Sequence, residues 1–539
     1  MGEFTPDEEK ILAPFMTNLD KPIFALVNLP EVVKGALFSR YSRTTKSLRR
    51  VLLEEFILNK DMGFKEIVNH QTDSGTEQVV AIKKAEEFYD RVLVGYGDDS
   101  VAELAGAHVA IEQVSNIATK ILQDSRLGLS PLEKSTRYVY FDQKVNGKWQ
   151  YYEEPTIMQS EFADNYVKTC DLLFETYAKL IEKMSKYFMD KYPKTAEVSD
   201  RAYNSTIRAK TCDVLRGLLP ASTLTNMGFF GDGRAYEYLL TKLYASNLAE
   251  SKQIAKMLQE ELAKVIPSFV KRANDKYGQS MQEYWTATSN ETRKKVETTL
   301  AGFKHDNDRE VTLVDYDKDA DEKISAAILY QYSDLSMEQC LIIARNMGAQ
   351  DKDDLVSSYL GKRGNRRHKP GRAFEHAYYT FDILANFGAY RDLHRHRVLT
   401  QTRQQLSTKH GYTLPPELIE AGFESEFKNA MDIAKQTYEK IAEKLPEQAQ
   451  YVVPLAYKIR WNIKLNAREA IHMCELRSMQ QGHIDYRKVA QEMFTEINKV
   501  HPMIGKHFNF MDMKSYDFER LESEKKLDKK LEELKKKYG

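Results

Sequence analysis

Cysteine is scarce in this chain: four in 539 residues, Cys170, Cys212, Cys340 and Cys474. They stand far apart and none belongs to a CxxC pair, which argues against a zinc ribbon and against a disulfide framework. Net charge is lacking as well. Lys plus Arg and Asp plus Glu both total 79, so no overall field draws the chain to nucleic acid or to an anionic membrane, and any anion site must be local. Long apolar runs are missing, and the acidic start MGEFTPDEEK has neither the basic nor the apolar region of a secretory leader. A soluble cytoplasmic protein is the expectation. No Gly-x-Gly-x-x-Gly follows a strand signal; GYGDDS and GFFGDG fall short of that pattern and read as turns.

What is present is helix. From Pro30 to Lys60 apolar residues return every three or four positions, Pro30 suits a first turn and Gly63 follows the end. Further helices are expected at about 160–191, 201–218, 234–265, 337–346, 424–444 and 487–500. Strand signals are fewer: AHVAIEQV near His108, RYVYFD at Arg137 to Asp142, EVTLVDY near Val311 and AYYTFDIL near Tyr379, all rich in β-branched or aromatic residues. The fold class is α+β, mostly helical with a small sheet in each half. A polar stretch from Arg272 to Glu310 carries turn-forming residues and places a boundary near 300, giving domains 1–300 and 301–539. The charged tail 522–537 reads as a solvated helix, not a binding arm. The 31 tyrosines and 24 phenylalanines serve as core before they serve as a pocket for a flat ligand.

The halves repeat one another. LRGLLPASTLTNMGFFGDGRAYEYLLTKL (Leu215 to Leu243) parallels YVVPLAYKIRWNIKLNAREAIHMCELR (Tyr451 to Arg477), with Pro220 and Pro454 equally far ahead of Arg234 and Arg468. Upstream, DSVAELAGAHVAIEQV from Asp99 echoes GRAFEHAYYTFDIL from Gly371, each with a Glu before a strand-like run. Two such pairs in one order indicate two diverged copies of one α+β unit, packed as a pseudo-symmetric pair.

Two stretches carry chemistry. In GAYRDLHRHR, a helix ending on the triplet would turn Arg395, His396 and Arg397 about 100° apart, so that they face different groups of an extended anion. Arginine supplies there a planar fork suited to phosphate or to a carbonyl gaining charge. The bland alternative is a solvated basic patch at a helix C-terminus. In SPLEKSTRYVYF, Glu133, Ser135 and Arg137 alternate, and an extended backbone would set acceptor, hydroxyl and guanidinium on one face for a polar phosphorylated ligand; an exposed strand edge with a salt bridge is the alternative. Arg216, before GLLP, is a second phosphate ligand or a surface arginine.

These residues resemble a family, the flavin-dependent thymidylate synthases, whose signature is Arg-His-Arg, a short spacer and Ser-x-Arg-Tyr, with Asn-x-Arg and a further Arg on a later helix. Here the elements are split. The second half holds RHR (Arg395 to Arg397), FEH (Phe374 to His376) and NAREAIHMCELR (Asn466 to Arg477), but RQQLS stands where Ser-x-Arg belongs. The first half holds EKSTRY (Glu133 to Tyr138) and RGLLP (Arg216 to Pro220), but LQDSRLG replaces the triplet and Leu243 falls where the second copy has Arg477. Neither copy is complete, and the losses are complementary, as expected if each copy keeps only its own contribution to one composite site.

The resemblance implies reductive methylation of dUMP to dTMP with FAD, methylenetetrahydrofolate as carbon donor and NAD(P)H as reductant. It implies catalytic roles for Arg477 and Arg395, with Glu133, Ser135, Arg137, Tyr138, Arg216, Asp392 and Arg477 on the nucleotide. FAD would fall to Glu375, Arg395, His396, Arg397, Asn466, Arg468 and His472, with no metal. No protein nucleophile is called for, and no cysteine here follows a proline. Two departures from the family pattern stand out: Arg372 near a usual threonine, and Asp392 for a glutamine three residues before the triplet. A carboxylate accepts from an amino group and repels a carbonyl, so a different pyrimidine nucleotide such as dCMP is the alternative substrate; a non-catalytic flavin- or nucleotide-binding protein is the second alternative. The partners implied are small-molecule nucleotide and folate, without nucleic acid or membrane, in a homodimer that mimics a tetramer of single copies.

Overall fold

The structure is a computed structural model that describes residues 3–59, 99–303 and 309–538. The chain forms two compact units that interleave in sequence: the first takes Met1–Val114, Ile121–Lys134 and Thr225–Phe303, the second Ser115–Lys120, Ser135–Leu224 and Lys304–Gly539. These units are not the two sequence copies, because residues 135–224 of the first copy belong to the second unit.

The first unit carries a three-stranded sheet of β1 (Gly106–Ser115), β2 (Leu129–Glu133) and β3 (Leu224–Asp232) in the order β1-β3-β2, with β2 and β3 antiparallel. The long helix expected from Pro30 is broken: Glu31–Tyr41 is helical, Ser42–Ser47 is not, and a second helical stretch runs from Leu48 to Ile57. The polar residues between compete with the helix for its own backbone, Ser42 Oγ donating to the Ser39 carbonyl at 2.8 Å and Ser47 Oγ accepting from Arg50 N–H at 3.1 Å as a new cap. Gly63, expected past its end, lies outside the described residues. The stretch 234–265 also breaks, into Gly233–Tyr244 and Ala249–Leu262. The polar stretch that carries turn-forming residues contains a helix, Lys276–Thr299, capped by Asp275, in which Gly278 alone is buried. Polarity there marks a solvated helix rather than a linker.

The second unit contains a four-stranded antiparallel sheet: β4 (Val311–Tyr316), β5 (Tyr378–Asn386), β6 (Leu399–Arg403) and β7 (Lys458–Asn466), in the order β4-β5-β7-β6. On β7 Ile459, Trp461, Ile463 and Leu465 alternate into the core, the period-2 pattern of a strand with one buried face. Helices α1 (Ala163–Lys191), α2 (Asp200–Leu215), α3 (Phe387–Leu393), α4 (Glu424–Ala442), α5 (Ala467–Arg477) and α6 (Ile484–Val500) belong to this unit. α1 buries Tyr166, Cys170, Leu173, Tyr177, Leu180, Met184 and Phe188, a stripe with helical spacing. It meets α4 through Thr169 and Thr437, whose hydroxyl oxygens lie 2.8 Å apart. All four cysteines are free and buried. The tail is helical over Leu521–Tyr538 with no buried residue.

RYVYFD is not a strand. β2 ends at Glu133, and Thr136–Tyr138 form a turn in which Arg137 N–H donates to Ser135 Oγ at 3.1 Å; a local hydroxyl acceptor replaces the ladder.

The duplication is visible in the hydrogen bonds of the second unit, where Pro220 faces Pro454. Ala221 N–H donates to Val453 O at 2.8 Å and Leu455 N–H to Leu219 O at 2.9 Å; Ser222 N–H donates to Tyr451 O at 3.0 Å and Ala456 N–H to Gly217 O at 3.0 Å. Each bond has its mirror about the two prolines, a local two-fold relation between the copies. The sheets agree: β1-β3-β2 in one unit matches β5-β7-β6 in the other. So does an ion pair, Arg234 to Glu103 at 2.8 Å in the first unit and Arg468 to Glu375 at 2.9 Å in the second. The chain is therefore a mostly helical α+β fold built of two related copies. Among the described residues no helix is long and apolar enough to cross a membrane.

Candidate active site

The site lies in the second unit, where ends of helices and turns deliver charged side chains to one place. Asp213 sits near the end of α2 and Arg216 follows its last residue. Arg137 hangs from the turn after β2, its Nε and Nη2 donating to the two oxygens of Asp213 at 2.7 and 2.6 Å. Burial opposes the charge on both groups, but each outweighs that cost for the other: the Asp213 carboxyl is held well below its usual range and the Arg137 guanidinium well above. Arg137 Nη1 donates to the Tyr486 hydroxyl at 3.0 Å.

Asp392 lies near the end of α3. Burial favours its neutral form, yet Arg216, Arg395, Arg137 and Arg477, in that order, hold the carboxyl well below the ordinary value. Arg216 Nη1 donates to Asp392 Oδ2 at 3.3 Å, and Arg395 pairs with Oδ1 at 3.9 Å. Arg216 Nη2 is buried without a partner. Gly388 makes room for this guanidinium, because a Cβ there would sit 3.1 Å from Nη2 and 3.2 Å from Nε. Asp213, Arg216 and His483 also line a cavity with Lys210, Asn386 and Gly388.

The triplet does not end the helix. α3 stops at Leu393, and Arg395 lies in the turn after it while His396 and Arg397 lie in irregular backbone before β6. There His396 is buried while both arginines are exposed. His396 Nδ1 lies 2.6 Å from Glu469 Oε1, and Arg477 Nε–H donates to His396 Nε2 at 2.9 Å. Glu469 N–H donates to Asn466 Oδ1, the cap of α5, at 2.9 Å. Burial draws the Arg477 guanidinium below its ordinary value against the pull of Asp392, and among the described residues no carboxylate lies within ion-pair distance of it. Arg137 and Arg477 flank the Tyr486 ring, at 5.6 and 5.8 Å from its centroid. Arginines from opposite copies thus converge on a shared aromatic ring.

The remaining expected residues are placed as follows. Glu375 joins Arg372 to Arg468. His472 stands 5.8 Å from His396, ring centre to ring centre, and burial pushes its pKa down to about 4. Tyr138 is exposed beneath Arg520 at 4.3 Å. Glu133 belongs to the other compact unit, buried at the end of β2 and accepting from Gln123 at 3.1 Å, so it shares no extended face with Ser135 and Arg137. Sequence reasoning missed Asp213, Glu469, His483 and Tyr486. The spacing held a signal for two of them: Asp213 precedes Arg216 by three residues and Glu469 precedes His472 by three, one helical turn each. His483 takes Asp485 N–H on Nδ1 at 3.2 Å and bonds the Asp213 carbonyl through Nε2 at 3.1 Å, and burial followed by Arg216 lowers its pKa.

His396, Glu469 and His472 offer ligand atoms within 4.8 Å of one another. Both nitrogens of His396 are already engaged, however, and the Arg477 cation beside it opposes a divalent ion. In the first unit the positions matching Glu469, His472 and Arg477, aligned on the Arg234 and Arg468 ion pairs, are Ala235, Tyr238 and Leu243; the counterpart of this cluster has lost its charge.

Comparison with known proteins gives the family. The chain is 47% identical to a UPF0159 protein of Chlamydia muridarum over 97% of its own length and 98% of the other. A UPF0159 protein of Thermoplasma acidophilum is 32% identical over 91% and 97%. The flavin-dependent thymidylate synthase of Sulfolobus acidocaldarius is 26% identical over 29% of this chain and 62% of its own. The family model of the thymidylate synthase complementing protein matches twice in succession, at residues 44–268 and 312–503. With one matching segment in each half of a chain whose sheets, caps and proline ladder repeat, the protein belongs to the thymidylate synthase complementing protein family as a tandem of two copies.

Proposed function

We propose that the chain is a cytoplasmic flavoenzyme that methylates dUMP to dTMP, using methylenetetrahydrofolate and NAD(P)H, at one composite site. The copies divide near 300, as 1–300 and 301–539. The observation that carries this reading is the meeting of Arg137 and Arg216 from the first copy with Arg395 and Arg477 from the second around Asp392 and Tyr486. Family membership and the named relatives, flavin-dependent thymidylate synthases among them, support it.

The donor set fits an anionic dinucleotide beside an anionic nucleotide: two exposed arginines of the triplet, a buried unpartnered Nη2 on Arg216 and a guanidinium on Arg477 that, among the described residues, has no carboxylate within ion-pair distance. FAD, when bound, supplies the reducing chemistry, and Glu375, Arg395, Arg397, Asn466, Arg468 and His472 would hold it; His396, expected in the same group, has both ring nitrogens engaged by Glu469 and Arg477.

On the nucleotide side, Asp213 occupies two donors of Arg137, so the phosphate is left Arg216 Nη2, the Ser135 hydroxyl and the Arg137 Nη1 edge, with Tyr138 on the same turn. Arg477, assisted by Arg395, faces negative charge that grows on a pyrimidine oxygen as the ring carbon becomes nucleophilic. A donor fixed in a water-poor site is worth about 10²–10³ in rate at such a position. The Tyr486 ring backs both arginines and keeps water from one side of them.

A second reading, a related enzyme acting on dCMP, is favoured by one observation. Asp392, a carboxylate held ionised among four arginines, accepts from an amino group where an amide would also donate. Incubating reduced enzyme with the folate donor and either dUMP or dCMP, then weighing the nucleotide product, separates the two. A mass gain of one methyl group on dUMP alone is the expected result, and no gain on either nucleotide sinks the methylase reading. The assembly proposed is a homodimer, so light scattering should give twice the chain mass.

A further inference from the structure

We propose that His396 and Glu469 are positioning residues that aim Arg477, and that His396 is not a flavin ligand. The argument rests on the reading above, in which Arg477 faces the pyrimidine, but its geometry stands by itself. Arginine has no acceptor, so a hydrogen bond from Arg477 Nε–H to His396 Nε2 at 2.9 Å requires a lone pair on that nitrogen. The imidazole proton therefore sits on Nδ1, and the only arrangement left is donation from Nδ1–H to Glu469 Oε1 at 2.6 Å. The distance is that of a charge-assisted bond. Both ring nitrogens are consumed and the ring is buried, so His396 has nothing to offer a cofactor.

The chain of bonds has a fixed origin. Asn466 caps α5 by accepting from Glu469 N–H, which anchors the backbone of Glu469 in the first turn, while Arg477 is the last residue of the same helix. His396, delivered from the turn before β6, bridges side chains from the two ends. Its role is to hold Arg477 by Nε alone, leaving the two Nη groups for a ligand. In the opposite tautomer Nε2–H would confront Nε–H at the same separation, and the guanidinium would have to swing away. A displacement of about 1 Å in a charge-stabilising group lowers rate by about 10²-fold.

This pairing is also absent from the other copy, where Ala235 and Leu243 stand at the positions matching Glu469 and Arg477. Anchor and target have been lost together, as expected of two parts of one device.

The test is a double-mutant cycle on the full chain carrying flavin, with an independent spectroscopic arm. Glu469→Ala should lower kcat on the pyrimidine nucleotide by about 10²-fold with flavin content unchanged. In an Arg477→Ala background the same substitution should change kcat by less than about threefold, because its effect passes through Arg477. Glu469→Gln, whose amide oxygen still accepts from Nδ1–H, should recover most of the loss. Equal losses from Glu469→Ala in both backgrounds, or loss of flavin in its place, would overturn the proposal. Nitrogen-15 spectra of histidine-labelled protein give the second arm, with the His396 signal identified by its disappearance in His396→Asn. Wild-type protein should show His396 protonated on Nδ1 whether or not it methylates any nucleotide, so failure of the methylase reading stays separate from failure of this one. An Nε2-protonated or doubly protonated ring overturns the assignment outright.

Discussion

Arg477 bears the heaviest demand of any side chain in the site, since among the described residues it alone of the converging arginines has no carboxylate within ion-pair distance. Arg477→Ala is expected to reduce turnover by about 10²–10³ while leaving bound flavin in place, and Arg477→Lys should fail to restore it, because an ammonium lacks the fork. Stopped-flow turnover with absorbance at the flavin band reads both quantities. Asp392 answers to the opposite pressure. Its folded pKa is depressed, so its contribution is present above the unfolded value near pH 4 and lost as pH falls through the folded value. Asp392→Asn strips Arg216 and Arg395 of their counter-charge and should destabilise the protein by about 3 kcal/mol in urea titrations at pH 7; the gap from wild type should narrow below pH 4. His472 also has a depressed pKa, about 4, below the unfolded value near 6.5. The unfolded chain takes up its proton first, so stability falls as pH drops from about 6.5 to 4, by an amount on the order of 2 kcal/mol after allowance for partial exposure. His472→Asn should flatten that slope, and an unchanged slope would remove His472 as its source. The arginine forks were legible in the sequence because Arg-His-Arg and Ser-x-Arg are local patterns. His483 and Tyr486 were not, because what makes each matter is a partner far away in the chain, Asp213 for His483 and Arg137 for Tyr486.

Helix and strand ends decide where these groups point. Asn466 closes β7, opens α5 and fixes the backbone of Glu469 with one hydrogen bond; Asp232 does the same for the matching helix of the first unit. Asn466→Ala should cost about 1 kcal/mol, and Asn466→Asp should be close to neutral, since both residues cap well and the first copy already uses aspartate. Urea midpoints of the two variants check the pair. Helices with a one-sided apolar stripe, such as α1 and α4, were read nearly to their ends. Of the strands among the described residues, three were read and four were missed. β7 was missed although Ile459, Trp461, Ile463 and Leu465 alternate plainly. β2 and β6 are five residues each and carry too little periodicity to register. RYVYFD failed for the reverse reason: its aromatic residues are placed by the tertiary fold around a turn, with Phe141 buried, Tyr140 under Arg208 at 4.6 Å and Tyr138 exposed, and not by pairing with a neighbouring strand.

The whole molecule is a duplication whose halves have diverged in complementary ways. Two pairs of matching segments in the same order revealed it, one of them with prolines and arginines at matched spacing, and the mirrored bonds about Pro220 and Pro454 give that spacing its physical meaning. What the sequence did not convey is that residues 135–224 would leave the rest of their copy and join the second unit. That exchange is what puts Arg137 and Arg216 beside Arg395 and Arg477. Its consequence is that one cluster keeps its charge while Ala235, Tyr238 and Leu243 stand in the positions of the other. The number of FAD molecules held per chain tests this most directly, from flavin absorbance divided by protein concentration in the purified protein after saturation with FAD and removal of excess. One FAD per chain is the predicted value; two would contradict a single composite site, and none would contradict a flavin site of any kind.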